Sequence, residues 1–449
     1  MNDLIPPFDW TRVFVEQWTG AANIDASFWV VATGALAAIS CGIVGCFLIL
    51  RGMAMIGDAV SHAVLPGIAG AFLLSESRAS FPMFLGAAVV GVLTAALIEA
   101  VYKSSRIKAD ASMGVVFPAL FAFGVLLISL MADKVDLDQE CVLYGEIAFV
   151  PFEARAEWFG WTAGPESTMV LLCAALVVIG GVVLFYRPLL IASFDPQLAT
   201  SMGVSAAVVH YGLMTVLSLT VVCSFEAVGA ILVIAMLIAP GATAYLFTDR
   251  LPTMLWISAG HGLFCAFAGW HLSVWLDCST AGAMAVVGAG LFFAALVVSP
   301  RHGLLSRLTR RVQLARRVAE ENALGTLYRS QEEGGDSIAS ASLAELLGVS
   351  AGGAKRVFRR LRRKGWAVQD GAGTLALTKA GMGRAAQLLR AHRLWETLLS
   401  NEVGLPDDHL HSAAHLLEHY IDEETLKALS DTLGNPSVDP HGRPIPKVD

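Results

Sequence analysis

Hydrophobic residues dominate the first 300 positions in long runs, whereas the last 150 positions mix polar and apolar residues as soluble helices do. A helix needs about 20 mostly apolar residues to cross a bilayer. The pattern contains nine such stretches and therefore predicts an all-α polytopic membrane bundle of about nine spans. They run over 27–50, 54–74, 80–101, 111–131, 168–186, 206–223, 226–247, 253–273 and 281–299.

The sixth and seventh stretches are the least distinct pair, because almost no polar loop separates them around Phe225. A re-entrant hairpin would produce the same pattern as two spans. A short soluble domain after the last span is predicted in either case.

Charges between the stretches predict the orientation of the bundle. Short cytoplasmic loops carry the excess of Lys and Arg. The opposite loop, 132–167, holds eight acidic residues against Lys134 and Arg155. The pattern predicts an N-out, C-in protein of the cell membrane with a cytoplasmic C-terminal domain. This orientation places six cationic loop residues on the cytoplasmic side of the membrane: Arg51, Lys103, Arg106, Lys108, Arg187 and Arg250.

Composition narrows the class of protein further. The chain is 55% hydrophobic and 15% charged, whereas about a quarter of the residues in soluble proteins are charged. The seven cysteines form no CxxC pair, which argues against a disulfide framework and a zinc knuckle.

The second stretch carries two ionisable side chains, Asp58 and His62, within RGMAMIGDAVSHAVLPGIAG. A charge inside a bilayer is costly unless it is paired or faces a wet cavity, so such residues are candidates for function. At a four-residue spacing on a helix, the two side chains share one face. A carboxylate and an imidazole together suit manganese, zinc or ferrous iron. The alternative is an Asp–His hydrogen bond that serves only packing. Three other histidines in or near spans are interpreted as packing or interfacial residues: His210, His261 and His271.

Three runs of the apolar region resemble the membrane permeases of ABC importers for manganese, zinc and iron, the ABC-3 family. They are RGMAMIGDAVSHAVLPGIAG, FDPQLATSMGV and FEAVGAILVIAMLIAPGATAYL, in the family's order within about residues 25–300. The resemblance implies a metal path lined by Asp58 and His62, with Mn, Fe or Zn as substrate. It also implies a separate ABC ATPase, an extracytoplasmic metal-binding protein and a second permease copy, in a homodimer or heterodimer.

The run FDPQLATSMGV matches the cytoplasmic loop on which family members dock their ATPase. Asp195 followed by Pro196 predicts a helix start, with the aspartate as N-cap. A plain amphipathic connector is the alternative. No GxxxxGK[ST] run occurs in the chain, so it has no P-loop, and ATP hydrolysis is assigned to another polypeptide rather than to this chain as an enzyme. The resemblance gives the coupling role to Asp195, Pro196, Leu198, Ala199 and Gly203.

The soluble tail begins with an arginine-rich neck that is predicted to lie against anionic lipid. The run SLAELLGVSAGGAKRVFRRLRRKGWAV then predicts a helix-turn-helix, with Ser350 as N-cap of the second helix. A β-wing near 368–377 would complete a winged form.

The second helix of this motif is strongly basic, which suits a phosphate backbone. Gly352 and Gly353 occupy the helix start, where base-reading side chains usually project. Anionic lipid and an acidic partner surface therefore remain alternatives to DNA. The candidate phosphate contacts are Lys355, Arg356, Arg359 and Arg360.

Histidines and glutamates concentrate beyond the wing. His392 and Glu396 are spaced four apart on one predicted helix, and a second predicted helix carries a similar stripe. Two such stripes facing each other would enclose one or two divalent ions, and a set of solvated surface histidines is the alternative. The second stripe consists of His411, His415, Glu418 and His419.

The tail resembles the iron- and manganese-dependent repressors of the diphtheria toxin repressor type. The runs AHRLWETLL, HSAAHLLEHYID and LGNPSVDPHGRPIP occur in the family's order within about 320–449. The resemblance implies that both stripes bind a regulatory metal. Asn322, with Glu321 beside it, stands at the family's first-helix ligand position, and Asp439 replaces the usual Cys before the PHG-type turn.

These patterns predict a metal-importer permease fused to a metal-sensing regulatory domain. The alternative is a metal-dependent transcriptional repressor, anchored by the bundle or released by cleavage in the neck. A third reading gives the tail only dimer contacts. The predicted domains are a transmembrane permease (1–300), a basic neck (301–320), a winged helix-turn-helix (321–380) and a helical metal-binding and dimerisation domain (381–449).

Overall fold

The computed structural model describes residues 6–63, 65–75, 80–130, 147–158, 161–332, 338–369 and 374–447. The chain divides into two compact units, Met1–Ser306 and Arg307–Asp449. Both are mainly helical, which confirms the predicted fold class of an apolar bundle followed by a helical tail. The first part of the predicted acidic outer loop, 131–146, lies outside the described residues.

The first unit is a bundle of apolar helices. Eight helices in the described ranges are long and apolar enough to cross a membrane, with α2 and α3 counted as one. A short hairpin of antiparallel strands β1 (Arg155–Trp158) and β2 (Trp161–Pro165) precedes α6. The helices are α1 (Ala21–Leu50), α2 (Ile56–Ala63), α3 (Leu65–Ser75), α4 (Ser80–Ser104), α5 (Ala109–Ser129), α6 (Glu166–Leu184), α7 (Tyr186–Phe194), α8 (Pro196–Ser201), α9 (Ala206–Phe247), α10 (Leu251–Leu276) and α11 (Thr280–Val298).

Helix α9 reverses direction at Gly229, whose φ of 77° and ψ of 163° are not helical. Leu213, before this residue, lines a cavity together with Phe47. A Cβ on Gly241, after it, would lie 3.2 Å from Cys46 N. A straight helix would separate these two positions of α9 by about 40 Å, so the two arms must run antiparallel. The break predicted near Phe225 lies four positions later, at a residue type that adopts positive φ without steric cost.

Helix α1 forms the centre of the bundle and packs against both arms of α9. The backbones approach so closely at Gly45 that a Cβ there would collide with the carbonyl oxygen of Leu237. Phe47 and Leu48 are fully buried in the same core cluster. Small residues at such crossings are typical of membrane helix packing. The number of spans remains a prediction, and it is nine if each arm of α9 crosses.

The second unit contains the predicted helix-turn-helix and wing. Ser350 caps its second helix by accepting a hydrogen bond from Gly353 N at 3.2 Å. Three antiparallel strands form a sheet in the order β3-β5-β4. The elements are α12 (Leu304–Glu332), β3 (Ile338–Ala339), α13 (Ser340–Leu346), α14 (Ala351–Arg363), β4 (Ala367–Gln369), β5 (Thr374–Leu377), α15 (Lys379–Asn401), α16 (Asp407–Leu417) and α17 (Glu423–Thr432).

Candidate metal sites

Asp58 and His62 lie one turn apart on α2, inside the apolar bundle. His62 Nε2 is 3.5 Å from Asp58 Oδ1. The side chain of His62 is 27% exposed, and that of Asp58 is 30% exposed. The rings of Phe117 and Phe121 on α5 lie 5.6 Å and 6.1 Å from the imidazole. The structure therefore brings the predicted pair together in a partly open, otherwise apolar setting.

This pair can supply two ligands to a divalent cation. Among the described residues, no third His, Cys, Asp or Glu completes a set of three ligand atoms within 4.8 Å at this position. Cations such as manganese take up to six ligands. The remaining positions of a bound ion would be filled by water or by a second copy of the chain.

The predicted coupling segment forms one short helix, α8, which directly follows α7. Asp195 Oδ1 accepts hydrogen bonds from Gln197 N and Leu198 N, each at 2.9 Å, and Pro196 is the first helical residue. Gly203 ends the segment at a φ of 82°. Ala199 is buried, whereas Leu198 is 49% exposed. The predicted cap is confirmed, and α8 exposes the apolar side chain of Leu198.

The bundle contains a second carboxylate–imidazole pair that the sequence patterns did not predict. Glu99 on α4 lies 3.2 Å from His210 on α9, measured between Oε2 and Nε2. Its other oxygen is 2.5 Å from Lys103 Nζ. His210 is therefore not an isolated packing residue. The sequence feature that could have indicated this pair was Glu99, a single acidic residue within the apolar stretch 80–101.

In the tail, three ligand atoms form a nearly equilateral triangle. His392 Nε2 lies 2.9 Å from His411 Nδ1 and 3.0 Å from Glu396 Oε1. His411 Nδ1 lies 3.1 Å from the same carboxylate oxygen. These separations bring the three ligand atoms close enough together to bind one divalent ion.

A second set shares His392 with the first. His415 Nδ1 is 2.8 Å from Glu418 Oε1, and His392 Nδ1 is 2.7 Å from Glu418 Oε2. A neutral imidazole has one lone pair for a metal, so His392 can serve only one of the two sets at a time. His419 offers a replacement, because its Nε2 is 3.6 Å from Glu418 Oε1.

Two buried polar atoms near these sets lack hydrogen-bond partners among the described residues, His419 Nε2 and Asn322 Oδ1. A buried donor or acceptor without a partner is costly and suggests a missing ligand. The donor set thus fits a divalent metal. Asn322 Oδ1 is available at the position where the family resemblance implies a ligand. Glu321, beside it, is bound to His419, Arg317 and Arg384.

Protonation of the metal-free site depends on its own ion pairs. Burial alone would lower the pKa of His392, but the carboxylates of Glu396 and Glu418 outweigh it and raise this pKa to about 9. Burial of Glu396 acts to raise its pKa, and the hydrogen bonds and charges of His392 and His411 lower it to about 2. At neutral pH the metal-free site therefore holds a protonated His392 between two carboxylates.

Metal binding by the tail is expected to depend on pH. A metal must displace the proton of His392, whose pKa is about 9, whereas Glu396 is already ionised at neutral pH. The affinity of the tail for metal should therefore rise with pH and level off near pH 9. Below that value, one displaced proton gives about tenfold weaker binding per pH unit. Manganese titrations of the full-length protein at several pH values measure this slope. A flat affinity across the neutral range would contradict the assignment.

Asp439 stabilises the turn that precedes the C-terminal end. Its Oδ1 accepts hydrogen bonds from His441 N at 3.0 Å and Arg443 N at 2.8 Å. Its Oδ2 lies 3.7 Å from Arg393 Nε. The Asp439 carboxylate therefore stabilises a turn and pairs with an arginine. Asp439, which replaces the family's usual Cys, thus has a structural role.

The basic face of α14 is only partly free for a phosphate partner. Lys355, Arg356 and Arg359 are exposed. Arg360 Nη1 lies 3.9 Å from Glu320 Oε1, and Lys364 Nζ is 2.6 Å from the other oxygen of that carboxylate. Glu320 therefore holds one edge of the basic face and leaves the three exposed cations as the stronger candidates.

Comparison with known proteins relates both parts of the chain to known families. Residues 23–299 match the ABC 3 transport family. Residues 378–447 match the iron dependent repressor, metal binding and dimerisation domain. The manganese transport system membrane protein MntD of Bacillus subtilis is 44% identical over 286 residues, which cover 64% of this chain and 96% of that protein. The zinc transport system membrane protein TroD of Treponema pallidum is 37% identical and covers 79% of this chain and 97% of that protein.

A solved structure shares the architecture of the bundle. PsaBC from Streptococcus pneumoniae, in complex with Fab, is 30% identical, with a TM-score of 0.53, and covers 65% of this chain and 97% of that chain. The chain therefore belongs to the ABC 3 transport family, and it carries an iron-dependent-repressor metal-binding and dimerisation domain at its C-terminal end.

Proposed function

We propose that this chain is the permease subunit of an ABC importer for a divalent transition metal, manganese, zinc or iron. The observation that carries this proposal is the Asp58–His62 pair, placed at 3.5 Å inside the apolar bundle of an ABC 3 family member. The partners are a separate ATPase, an extracytoplasmic metal-binding protein and a second permease copy. The positions of the basic loops support an N-out, C-in orientation with a cytoplasmic tail.

Reconstitution tests this function. Proteoliposomes containing the chain, its ATPase and its binding protein should accumulate Mn²⁺, Zn²⁺ or Fe²⁺ only when ATP reaches the ATPase. Competition among the three ions identifies the preferred substrate. If none of them accumulates above the level of empty vesicles, the function is wrong.

Leu198 provides a test of ATPase docking. The side chain is exposed on α8, and apolar anchors at the centre of an interface often cost 2 kcal/mol or more when lost. Leu198→Asp is therefore expected to weaken association with the ATPase by roughly thirtyfold or more. Copurification and ATPase stimulation measure the effect. Gln197→Asp, on the same short helix, is the matched control and should retain docking.

The tail is proposed to sense the ion that the bundle carries. The triangle of His392, Glu396 and His411 supports this role, because its three ligand atoms lie within 3.1 Å of one another. The second site takes His415, Glu418 and His419, with Asn322 as a further oxygen ligand. Metal occupancy of the tail would then report the internal concentration of the transported ion.

Feedback on transport is the expected outcome of sensing. Uptake by cells already loaded with metal should be faster in a His392→Ala, His415→Ala variant than in the wild type, while uptake by depleted cells stays equal. Radioactive manganese uptake measures both rates. Equal rates in loaded cells would exclude feedback through the tail.

The exposed cations of α14 favour a second candidate function, a membrane-anchored or proteolytically released metal-dependent repressor. Lys355, Arg356 and Arg359 could contact phosphates. Manganese-dependent binding of the full-length protein in nanodiscs to its own promoter DNA would support this function. Loss of that binding in Arg359→Ala, but not in Arg311→Ala, would place the contact on the helix-turn-helix rather than on the neck.

A further inference from the structure

A cavity with several charged groups in its lining lies where α1, α4, α7, α8 and α9 meet. Its volume is about 440 Å³. Most of its polar groups come from elements far apart in the sequence. Its charged and polar lining consists of Arg51, Glu99, Lys103, Ser193 and His210.

Glu99 and His210 are the two groups in this cavity that can bind a metal. Their side chains are 16% and 18% exposed, and Glu99 Oε2 lies 3.2 Å from His210 Nε2. Despite this proximity, Glu99 Oε2 makes no hydrogen bond among the described residues. An ionisable pair inside a membrane bundle is expensive to retain unless it has a function.

We propose that Glu99 and His210 form a second site for the divalent cation, which the ion occupies after leaving Asp58 and His62. This inference rests on the proposed transport function. The chemistry of the two pairs is the same, one carboxylate oxygen and one imidazole nitrogen. An ion that passes from one pair to the other would therefore exchange one carboxylate and one imidazole ligand for another carboxylate and another imidazole.

The two pairs lie at successive depths of the bundle. A Cβ on Gly91 of α4 would lie 3.3 Å from Val60, which places these two residues at one level. Glu99 follows Gly91 by eight residues, or about 12 Å along the helix. Five residues before Asp58, in the turn that precedes α2, Met53 lines the Glu99 cavity. Both elements thus lead from the first pair toward the second.

The cavity also adjoins the segment proposed to dock the ATPase. Pro196, the first residue of α8, lines it together with Ser193. Arg51 Nε donates a hydrogen bond to the Ser193 hydroxyl at 3.3 Å. A movement of α8 would therefore reach the second site directly.

Lys103 explains how such a site would release its ion. Its ammonium lies 2.5 Å from Glu99 Oε1, and its side chain is 65% exposed. An exposed ion pair of this kind has little stability of its own, so an arriving cation can displace the lysine. Arg51 and Lys103 then repel the bound ion. The result is weak binding, which suits a point of exit.

Binding at this site is tested in a full-length background chain that carries Asp58→Ala, His392→Ala and His415→Ala. The probe is Co²⁺, followed by its ligand-field absorbance, with Mn²⁺ as competitor. The background chain should still bind one ion. Adding Glu99→Gln should weaken that binding by about tenfold or more, and adding Lys103→Ala instead should strengthen it. No binding by the background chain, or binding that ignores both changes, overturns the proposal.

Transport kinetics give the second readout. In the reconstituted importer, His210→Ala should lower the maximal uptake rate by about tenfold with an unchanged half-saturating concentration, because loading at Asp58 and His62 is intact. An unchanged maximal rate overturns the proposal. If the wild type itself transports no metal, the proposed function fails, and the Co²⁺ titration still decides whether the second site exists.

Discussion

Asp58→Ala is expected to reduce ATP-dependent metal uptake by about 100-fold or more, since even residues that only orient a metal ligand cost 10–100-fold when lost. His62→Ala should have a similar effect, because the two side chains act on one ion from adjacent turns of α2. Uptake of radioactive manganese into proteoliposomes measures both variants. The ATPase should still bind, since α8 is unchanged.

A matched control separates this effect from loss of folding. Asp249 also pairs with a histidine, His302, at 3.4 Å, but it is 63% exposed at a helix end. Asp249→Ala should therefore transport at the wild-type rate. Size-exclusion profiles should be the same for all variants, because a partly exposed pair contributes about 0–1 kcal/mol to stability. Normal uptake by Asp58→Ala would contradict the assignment of Asp58 and His62 to the metal path.

His392→Ala is expected to have the largest effect on metal binding by the tail. The set of His392, Glu396 and His411 depends on this imidazole, so its removal should weaken manganese binding at that site by about 100-fold or more. The titration is done in a chain that carries Asp58→Ala and Glu99→Gln, so that sites in the bundle do not contribute. His409→Ala is the control, because His409 belongs to neither set. Equal affinity in the two variants would exclude the assigned site.

Local sequence patterns predicted the parts of the structure that depend on neighbours along one helix. Asp58 and His62, four residues apart, meet as expected on α2. Asp195 and Ser350 cap their helices as predicted. In each case the partner lies within one helical turn, so spacing alone determines the contact.

Contacts between helices were less accessible from sequence. The repeat of histidines and glutamates identified the tail ligands, but not that His392 lies against both His411 and Glu418. The pairing of Glu99 with His210 depends on how α4 packs against α9. A single sequence gives the face on which each side chain lies, and it does not give the rotation of two helices about each other.

Charge partners also changed the interpretation of the tail. Arg360 was one of the four predicted phosphate contacts, and the structure places it, together with Lys364, beside Glu320. The position of the break in α9 depended on a backbone conformation favoured by glycine. Phe225 marked the weakest hydropathy boundary, and the reversal occurs at Gly229.

The central claim is that the bundle and the tail bind the same class of ion at separate sites. Manganese content of the purified full-length protein, measured after equilibrium dialysis, tests it most directly. Bound manganese should fall partly in a chain with Asp58→Ala and Glu99→Gln, and partly in one with His392→Ala and His415→Ala. Combining all four substitutions should abolish specific binding. Full retention of manganese by the fourfold variant would contradict the account.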